Sequence, residues 1–357
     1  MKIVTIVGAR PQFIKAATVS REIAKHPSLK EVIVHTGQHY DHNMSEIFFK
    51  EMEIPEPAYD LGINGKSHGA MTGEMLVKIE EVLIKENPDL VLVYGDTNST
   101  LAGALASRKL HIRLAHVEAG LRSFNMRMPE EINRILTDRI SDLLFCPAEN
   151  AMSNLKKEGF DNFNSKVFIS GDVMYDAVLY YSKKAEERSG IVKELGLKDF
   201  ILCTLHRAEN TDDENRLRAI VKALNQISGE IKIVFPVHPR TKKILEEKKL
   251  KLNFEFIDPV GYFDMLQLTK HCRLVMSDSG GLQKEAYYFD KYCITLRNET
   301  EWKELADEGY NVVAGTDTQK IVSSFHELIK KEPRFTKKFY GEGNAAGFIV
   351  KQLLELS

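Results

Sequence analysis

The stretch RLVMSDSGGLQKEA, residues 273–286, reads as a buried strand (Leu274, Val275, Met276), a sharp turn at Ser279-Gly280-Gly281 and a helix carrying Glu285. A strand that passes through glycines into a helix start is an anion-binding element. The glycines allow close approach of backbone, and the first helical N–H groups and the helix dipole favour negative charge. Ser277, Asp278 and Ser279 are also good helix caps, so a purely structural reading explains this stretch equally well when it is taken alone.

Outward from it, apolar runs recur on both sides. FILCTLH (200–206), KIVFPVH (232–238), NFEFID (253–258) and YCITLR (292–297) each read as a strand followed by a turn or helix. The first half repeats the layout with IVTIVG (3–8), EVIVHTG (31–37), DLVLVYGD (89–96), RLAHVEAG (113–120), DLLFCPA (142–148) and KVFISGD (166–172). Helical periodicity fills the gaps at 12–25, 70–86 and 99–109. Strands separated by helices of this length define βαβ units and a mostly parallel sheet. At 357 residues two domains are expected. The long polar helix around 173–195 marks the junction, giving an N-terminal domain 1–172 joined by the C-terminal helix 342–357, and a second domain 173–341. The expected fold is α/β: two doubly wound domains facing each other, with ligands at the carboxyl ends of the strands in an interdomain cleft.

Composition narrows the function. With 49 Lys+Arg against 51 Asp+Glu and no basic run, a nucleic-acid footprint is absent. Cys146, Cys203, Cys272 and Cys293 stand singly in apolar surroundings, as buried thiols of a reducing compartment do. No apolar run reaches membrane-spanning length, and the N-terminus enters a strand without a signal-peptide pattern, so a soluble cytoplasmic protein is expected.

Charged and hydrogen-bonding groups collect at the strand ends. Gly8-Ala9-Arg10-Pro11 with Lys15, Asp96-Thr97-Asn98-Ser99, Glu118-Ala119-Gly120-Leu121-Arg122, His206-Arg207-Ala208-Glu209-Asn210 and His238-Pro239-Arg240 all follow strands. PEEINRILTDRI (129–140) starts a helix at Pro129 and sets Glu130, Arg134 and Asp138 at i, i+4 spacing. Each group alone is explained by an ordinary cap or ion pair. Their recurrence at at least five strand ends points to a site. Gly65-Lys66-Ser67 lacks the earlier glycine of a phosphate loop, and no GxGxxG follows a strand. His35, His39 and His42 straddle a strand end and a loop, so no metal site is expected.

In their order and spacing, GARPQFIKAA, GDTNSTLAGALA, HVEAGLRS, PEEINR, TLHRAEN, HPRTKK and SDSGGLQKEA resemble the non-hydrolysing UDP-N-acetylglucosamine 2-epimerases over nearly the whole chain. The resemblance implies the GT-B architecture, two facing Rossmann-like domains, and a homodimer. It also implies interconversion of UDP-N-acetylglucosamine and UDP-N-acetylmannosamine without a cofactor, for cell-surface polysaccharide precursors. No carbonyl adjoins sugar carbon 2, so UDP leaves first, carbon 2 then loses its proton to give a 2-acetamidoglucal, and UDP adds back after reprotonation on the other face. By this resemblance Asp96, Glu118, Glu130 and His206 are the catalytic candidates, with Glu130 preferred to Glu131. Arg10, Lys15, Arg134, Arg207, His238, Ser279, Gly280 and Gly281 would hold UDP, Glu285 the ribose, and Tyr262 and Phe263 the uracil. Gln38 and His39 match the loop that binds a regulatory second UDP-N-acetylglucosamine in many bacterial members, whereas Tyr40, Asp41 and His42 depart from it. That QHYD form also resembles relatives acting on UDP-2,3-diacetamido-2,3-dideoxyglucuronic acid, whose carboxylate would need a cation; Arg122 and Arg127 are available unless they pair with Glu130 or Glu131. A glycosyltransferase of the same fold is the competing class. UDP-N-acetylglucosamine is the substrate expected from the sequence.

Overall fold

The computed structural model describes residues 1–38 and 55–356. His39, expected in a regulatory loop, lies outside the described residues, as do Tyr40, Asp41 and His42 and the side chain of Arg10. The chain divides into two compact units, residues 1–177 with 338–357, and residues 178–337.

The first unit is built on a seven-stranded sheet in the order β3-β2-β1-β4-β5-β6-β7. Its strands are β1 (Lys2–Val7), β2 (Lys30–His35), β3 (Tyr59–Asp60), β4 (Leu90–Tyr94), β5 (Arg113–Val117), β6 (Leu143–Cys146) and β7 (Lys166–Ile169). All neighbours pair in parallel. The central strands are covered on both faces, so they are continuous apolar runs and not alternating ones. Val4, Ile6, Val91 and Val93 are fully buried, and each such side chain contributes about 1.5–3 kcal/mol by leaving water. The order reverses between β1 and β4, which puts the switch point of this sheet at Gly8 and Gly95-Asp96.

The second unit carries β8 (Phe200–Thr204), β9 (Lys232–Val234), β10 (Leu274–Ser277), β11 (Cys293–Thr295) and β12 (Asn311–Val313), in the parallel order β12-β11-β10-β8-β9. Its switch point lies between β8 and β10, where HRAEN and SDSGG begin. The expected strand at 253–258 does not form. Ile257 makes a single bridge to Pro236, exchanging bonds with Phe235 and Val237, and Pro259 has no N–H to give Val237 O the next rung of the ladder. The glycines expected in a turn are instead the first residues of the helix Gly280–Tyr288, capped by Ser279.

The boundary between the units falls inside the helix Val173–Arg188. The start of that helix belongs to the first unit. Asp172 N donates to Tyr340 O, and Asp176 accepts from Ala345 N and Ala346 N at 3.1 and 2.8 Å, capping the C-terminal helix Ala345–Leu354. Among the described residues no helix is long and apolar enough to cross a membrane.

Candidate active site

In the first unit the site is assembled around the β1, β4 and β5 tips. Gly8 backs directly onto the hydroxyls of Thr36 and Ser99, and any side chain there would overlap both. Gln12 ties the tips together. Its Oε1 accepts from Gly8 N and Ala9 N at 2.8 and 3.0 Å, while its Nε2 donates to Tyr94 O and Thr100 Oγ1 at 2.7 and 2.8 Å. All four bonds are buried, so this amide holds the β1 turn against the end of β4. Gln38 reaches the same region, accepting from Ser99 N and Oγ at 3.0 and 2.8 Å.

Lys15, one turn into the helix Arg10–Ile23, forms a buried ion pair with Glu118. Glu118 takes the left-handed conformation (φ 73°), which a non-glycine residue adopts at a cost of about 1–3 kcal/mol and which persists only where the surrounding structure holds it. Gly95 lines this pair: a Cβ there would lie 3.3 Å from Glu118 Oε2 and 3.4 Å from Lys15 Nζ. Asp96 follows, and Arg134 Nη2 donates to its Oδ2 at 2.6 Å. Burial pushes the Asp96 carboxyl above the ordinary aspartate range; Arg134 and Lys15 oppose this, while Glu118 and Glu130 add to it. A carboxyl raised in this way is better suited to exchange a proton than a free aspartate is.

The helix Pro129–Ile140 separates its two glutamates by environment. Glu131 is fully buried and accepts from Ser123 N, Ser123 Oγ and Phe124 N at 2.9, 3.0 and 2.9 Å, with Arg134 Nη1 at 3.2 Å. Glu130 is half-buried and makes no ion pair among the described residues. Asn133 donates to Asp96 O at 2.9 Å and Asn98 Oδ1 at 3.2 Å. Arg122 departs from expectation. It is buried, donates to Asp138 Oδ2 at 2.7 Å and grips Glu158 with two bonds of 2.7 and 2.8 Å, pairing with neither Glu130 nor Glu131. Both faces of its guanidinium fork are therefore used in the fold. Arg127 is exposed and makes no ion pair among the described residues.

In the second unit Asp278 organises the HRAEN segment from the end of β10. It is fully buried and accepts from His206 N at 3.1 Å, Arg207 N at 2.9 Å and Asn210 Nδ2 at 3.2 Å, with His206 Nδ1 at 3.2 Å. Burial works against its charge, but His206 and these N–H groups hold the carboxyl below the usual range. Ser279 Oγ accepts from Leu282 N at 3.4 Å at the start of the following helix. A Cβ on Gly280 would lie 3.6 Å from Glu301 Oε2, 3.7 Å from Trp302 Nε1 and 4.0 Å from Arg207 Nη2, so these side chains flank the helix start. Trp302 Nε1 donates to Gly280 O at 2.9 Å, and Arg297 holds Glu301 at 3.0 Å. Glu285 is buried within the same helix. His238 caps its helix by accepting from Arg240 N at 3.2 Å, which makes its Nδ1 the unprotonated nitrogen; burial, then His206 and Arg240, lower its basicity.

Tyr262 and Phe263 are buried at the start of the helix Tyr262–His271 and pack on Tyr181, ring centroids 6.0 and 6.2 Å apart. Lys15, Asp96, Glu118, Glu130 and Arg134 thus gather in the first unit, and His206, Arg207, His238, Ser279, Gly280 and Gly281 at the corresponding strand ends of the second. Gln12, Asn133, His116, Asp138, Glu301 and Trp302 had no assigned role in the sequence reading. Two of them carried a local signal: Gln12, at the third helical position where a capping-box residue stands, and Asp138, on one helix face with Glu130 and Arg134. Among the described residues no group of three His, Cys, Asp or Glu side chains could hold a metal ion.

Two doubly wound parallel units, each with a polar cluster at its switch point, define a protein of the GT-B class. The family model for UDP-N-acetylglucosamine 2-epimerase matches residues 21–354, and the chain belongs to that family. It is 54% identical over 357 residues, the full length of both chains, to the UDP-2,3-diacetamido-2,3-dideoxy-D-glucuronate 2-epimerase of Pseudomonas aeruginosa. It is also similar to the crystal structure of Methanocaldococcus jannaschii UDP-GlcNAc 2-epimerase in complex with UDP-GlcNAc and UDP, at TM-score 0.92 and 44% identity, covering 99% of this chain and 100% of that one. The Neisseria meningitidis UDP-GlcNAc 2-epimerase bound to UDP-GlcNAc matches at TM-score 0.90 and 31% identity, covering 99% and 100%.

Proposed function

We propose that this protein inverts carbon 2 of a UDP-linked 2-acetamido sugar by eliminating UDP and adding it back. The observation that carries the reading is the set of three carboxylates, Asp96, Glu118 and Glu130, gathered with Lys15 and Arg134 at one switch point. Inversion requires a proton to leave one face of carbon 2 and another to arrive on the opposite face, hence two proton-handling groups. Glu118, paired with Lys15, and Asp96, whose carboxyl is raised by burial, are the two proton-handling groups. His206, Arg207, Ser279 and the N–H groups of Gly280 and Gly281 bind the departing diphosphate, with Glu285 taking the ribose diol; His238, whose Nδ1 is the accepting nitrogen, donates to the nucleotide from Nε2–H. Tyr262 and Phe263 support the uracil side from within the core.

Between the two candidate sugars, the 54% identity to the Pseudomonas enzyme and the exposed Arg127, which makes no ion pair among the described residues, favour UDP-2,3-diacetamido-2,3-dideoxyglucuronate. A sugar carboxylate needs such a cation, because an unpaired charge taken out of water costs several kcal/mol. UDP-N-acetylglucosamine is the second reading, favoured by the 44% identity to the Methanocaldococcus enzyme. The enzyme works as a cytoplasmic homodimer supplying polysaccharide precursors; exposed Val77 and Ile84 on the helix His68–Glu86, and Ile132 and Leu136 on Pro129–Ile140, offer apolar surface for a second copy. Incubation with each UDP-sugar in deuterated water tests the reaction. An epimerase places deuterium at carbon 2, whereas a glycosyltransferase leaves that position protonated.

A further inference from the structure

A histidine is sealed behind the carboxylates of the first unit. His116 lies on β5 and is 0% exposed. Its Nε2 is 2.7 Å from Gly95 O and its Nδ1 is 2.7 Å from Asp138 Oδ1. A backbone carbonyl only accepts, so Nε2 carries a proton. Asp138 Oδ2 accepts from Gly120 N at 3.1 Å and from Arg122 Nη1 at 2.7 Å, the surroundings of an ionised carboxylate, so the bond at Oδ1 is donated by Nδ1–H.

We infer that His116 is a doubly protonated imidazolium and the positioning residue that ties the turn bearing Asp96 to the turn bearing Glu118. One end of the ring holds the carbonyl of Gly95, the residue before Asp96. The other end holds Asp138, which grips the N–H of Gly120, two residues after Glu118. Glu118 at φ 73° is held in the left-handed region, where a non-glycine residue is strained, so its turn depends on outside partners to stay in place. A neutral ring would satisfy only one of the two acceptors. The helix carrying Asp138 also presents Arg134 to Asp96, so a single helix sets both carboxylates.

The charged groups around the ring balance. From the helix Pro129–Ile140 it faces Asp138. Behind Asp138 stand Arg122, from the turn after β5, and Glu158, just past the helix Glu149–Lys157. Cys146 on β6 is kept as a neutral thiol by burial and then by Asp138. Beyond Gly95 lie Asp96 with Arg134, and the Lys15–Glu118 pair. Two cations, His116 and Arg122, offset two anions, Asp138 and Glu158.

The effect on turnover rests on Asp96 and Glu118 being the proton carriers; the protonation state of the ring does not. Nitrogen-15 NMR of histidine-labelled protein tests the latter directly. Both His116 ring nitrogens should show imidazolium shifts, with two slowly exchanging ring N–H protons, in the protein at neutral pH. A neutral tautomer there overturns the inference. His116→Gln should lower kcat roughly 10- to 100-fold with KM within about twofold and UDP affinity unchanged, the pattern of a lost transition-state geometry. Unchanged kcat, or kcat lost together with UDP binding, also overturns it. Should that variant not fold, the wild-type ring is assigned through its own backbone and the NMR result decides. A protein that exchanges no deuterium into any substrate would defeat the reaction reading while leaving the NMR test standing.

Discussion

Replacing Asp278 with Asn removes one negative charge and nothing else of size. Its carboxylate is fully buried and its Oδ2 accepts three N–H bonds, from His206, Arg207 and Asn210. A hydrogen bond to a charged acceptor contributes about 1.5–3 kcal/mol and one to a neutral acceptor about 0.5–1.5 kcal/mol. The loss is therefore about 1 kcal/mol per bond, and about 3 kcal/mol for the three together. In a unit of this size that lowers the melting temperature by roughly 6–12 °C. The loss is also pH-dependent. Because the folded carboxyl titrates below its unfolded value of about 3.9, its stabilisation is complete above that pH and disappears as the pH falls through the folded value. Calorimetric melting of wild type and Asp278→Asn from neutral pH down to about pH 3 follows both quantities. The gap should be full at neutral pH and should narrow as the pH falls below about 3.9. UDP titration should show weaker binding in Asp278→Asn, since His206 and Arg207 lose their anchor. Equal melting temperatures at neutral pH, or a gap that does not narrow between neutral pH and about pH 3, would refute the argument.

Asp96→Asn and Glu118→Gln should each lose about 10²–10⁴-fold in kcat while binding UDP as wild type does, as judged by steady-state kinetics beside calorimetric titration. Ser279→Ala and Glu285→Ala should do the reverse, weakening UDP by about 1–3 kcal/mol, the cost of stranding a buried partner. Turnover should survive exhaustive chelation and need no added NAD; loss with EDTA and recovery with a divalent ion would contradict this. Arg127→Ala should raise KM for the diacetamido uronate and leave UDP-N-acetylglucosamine unaffected, measured on a substrate panel by proton NMR.

Much of the fold is legible in the chain. Apolar runs such as LVLVY at β4 and FILCT at β8, short and bounded by turn residues, read as strands buried on both faces, and the helices between them impose parallel pairing. Edge elements escaped the same reading. β3 and β12 are two and three residues long, too short for a periodic signal, whereas the alternating NFEFID had the pattern but no partner beyond one bridge.

The sequence by itself determined which residue types stand at the strand ends, because strand, turn and helix are local and the motifs are contiguous. What each of those side chains does was decided by tertiary structure. Glu130 and Glu131 are adjacent in sequence, yet only packing against Ser123 and Phe124 commits the second to the fold. Arg122, a candidate for the substrate, is taken by Asp138 and Glu158, residues 16 and 36 positions away. His116 looks like any strand histidine until Gly95 and Asp138 close on its two nitrogens. Periodicity records which face of an element is buried. It carries no record of which charge, brought from elsewhere in the chain, will be waiting there, and in a site built of buried ions that partner sets the role.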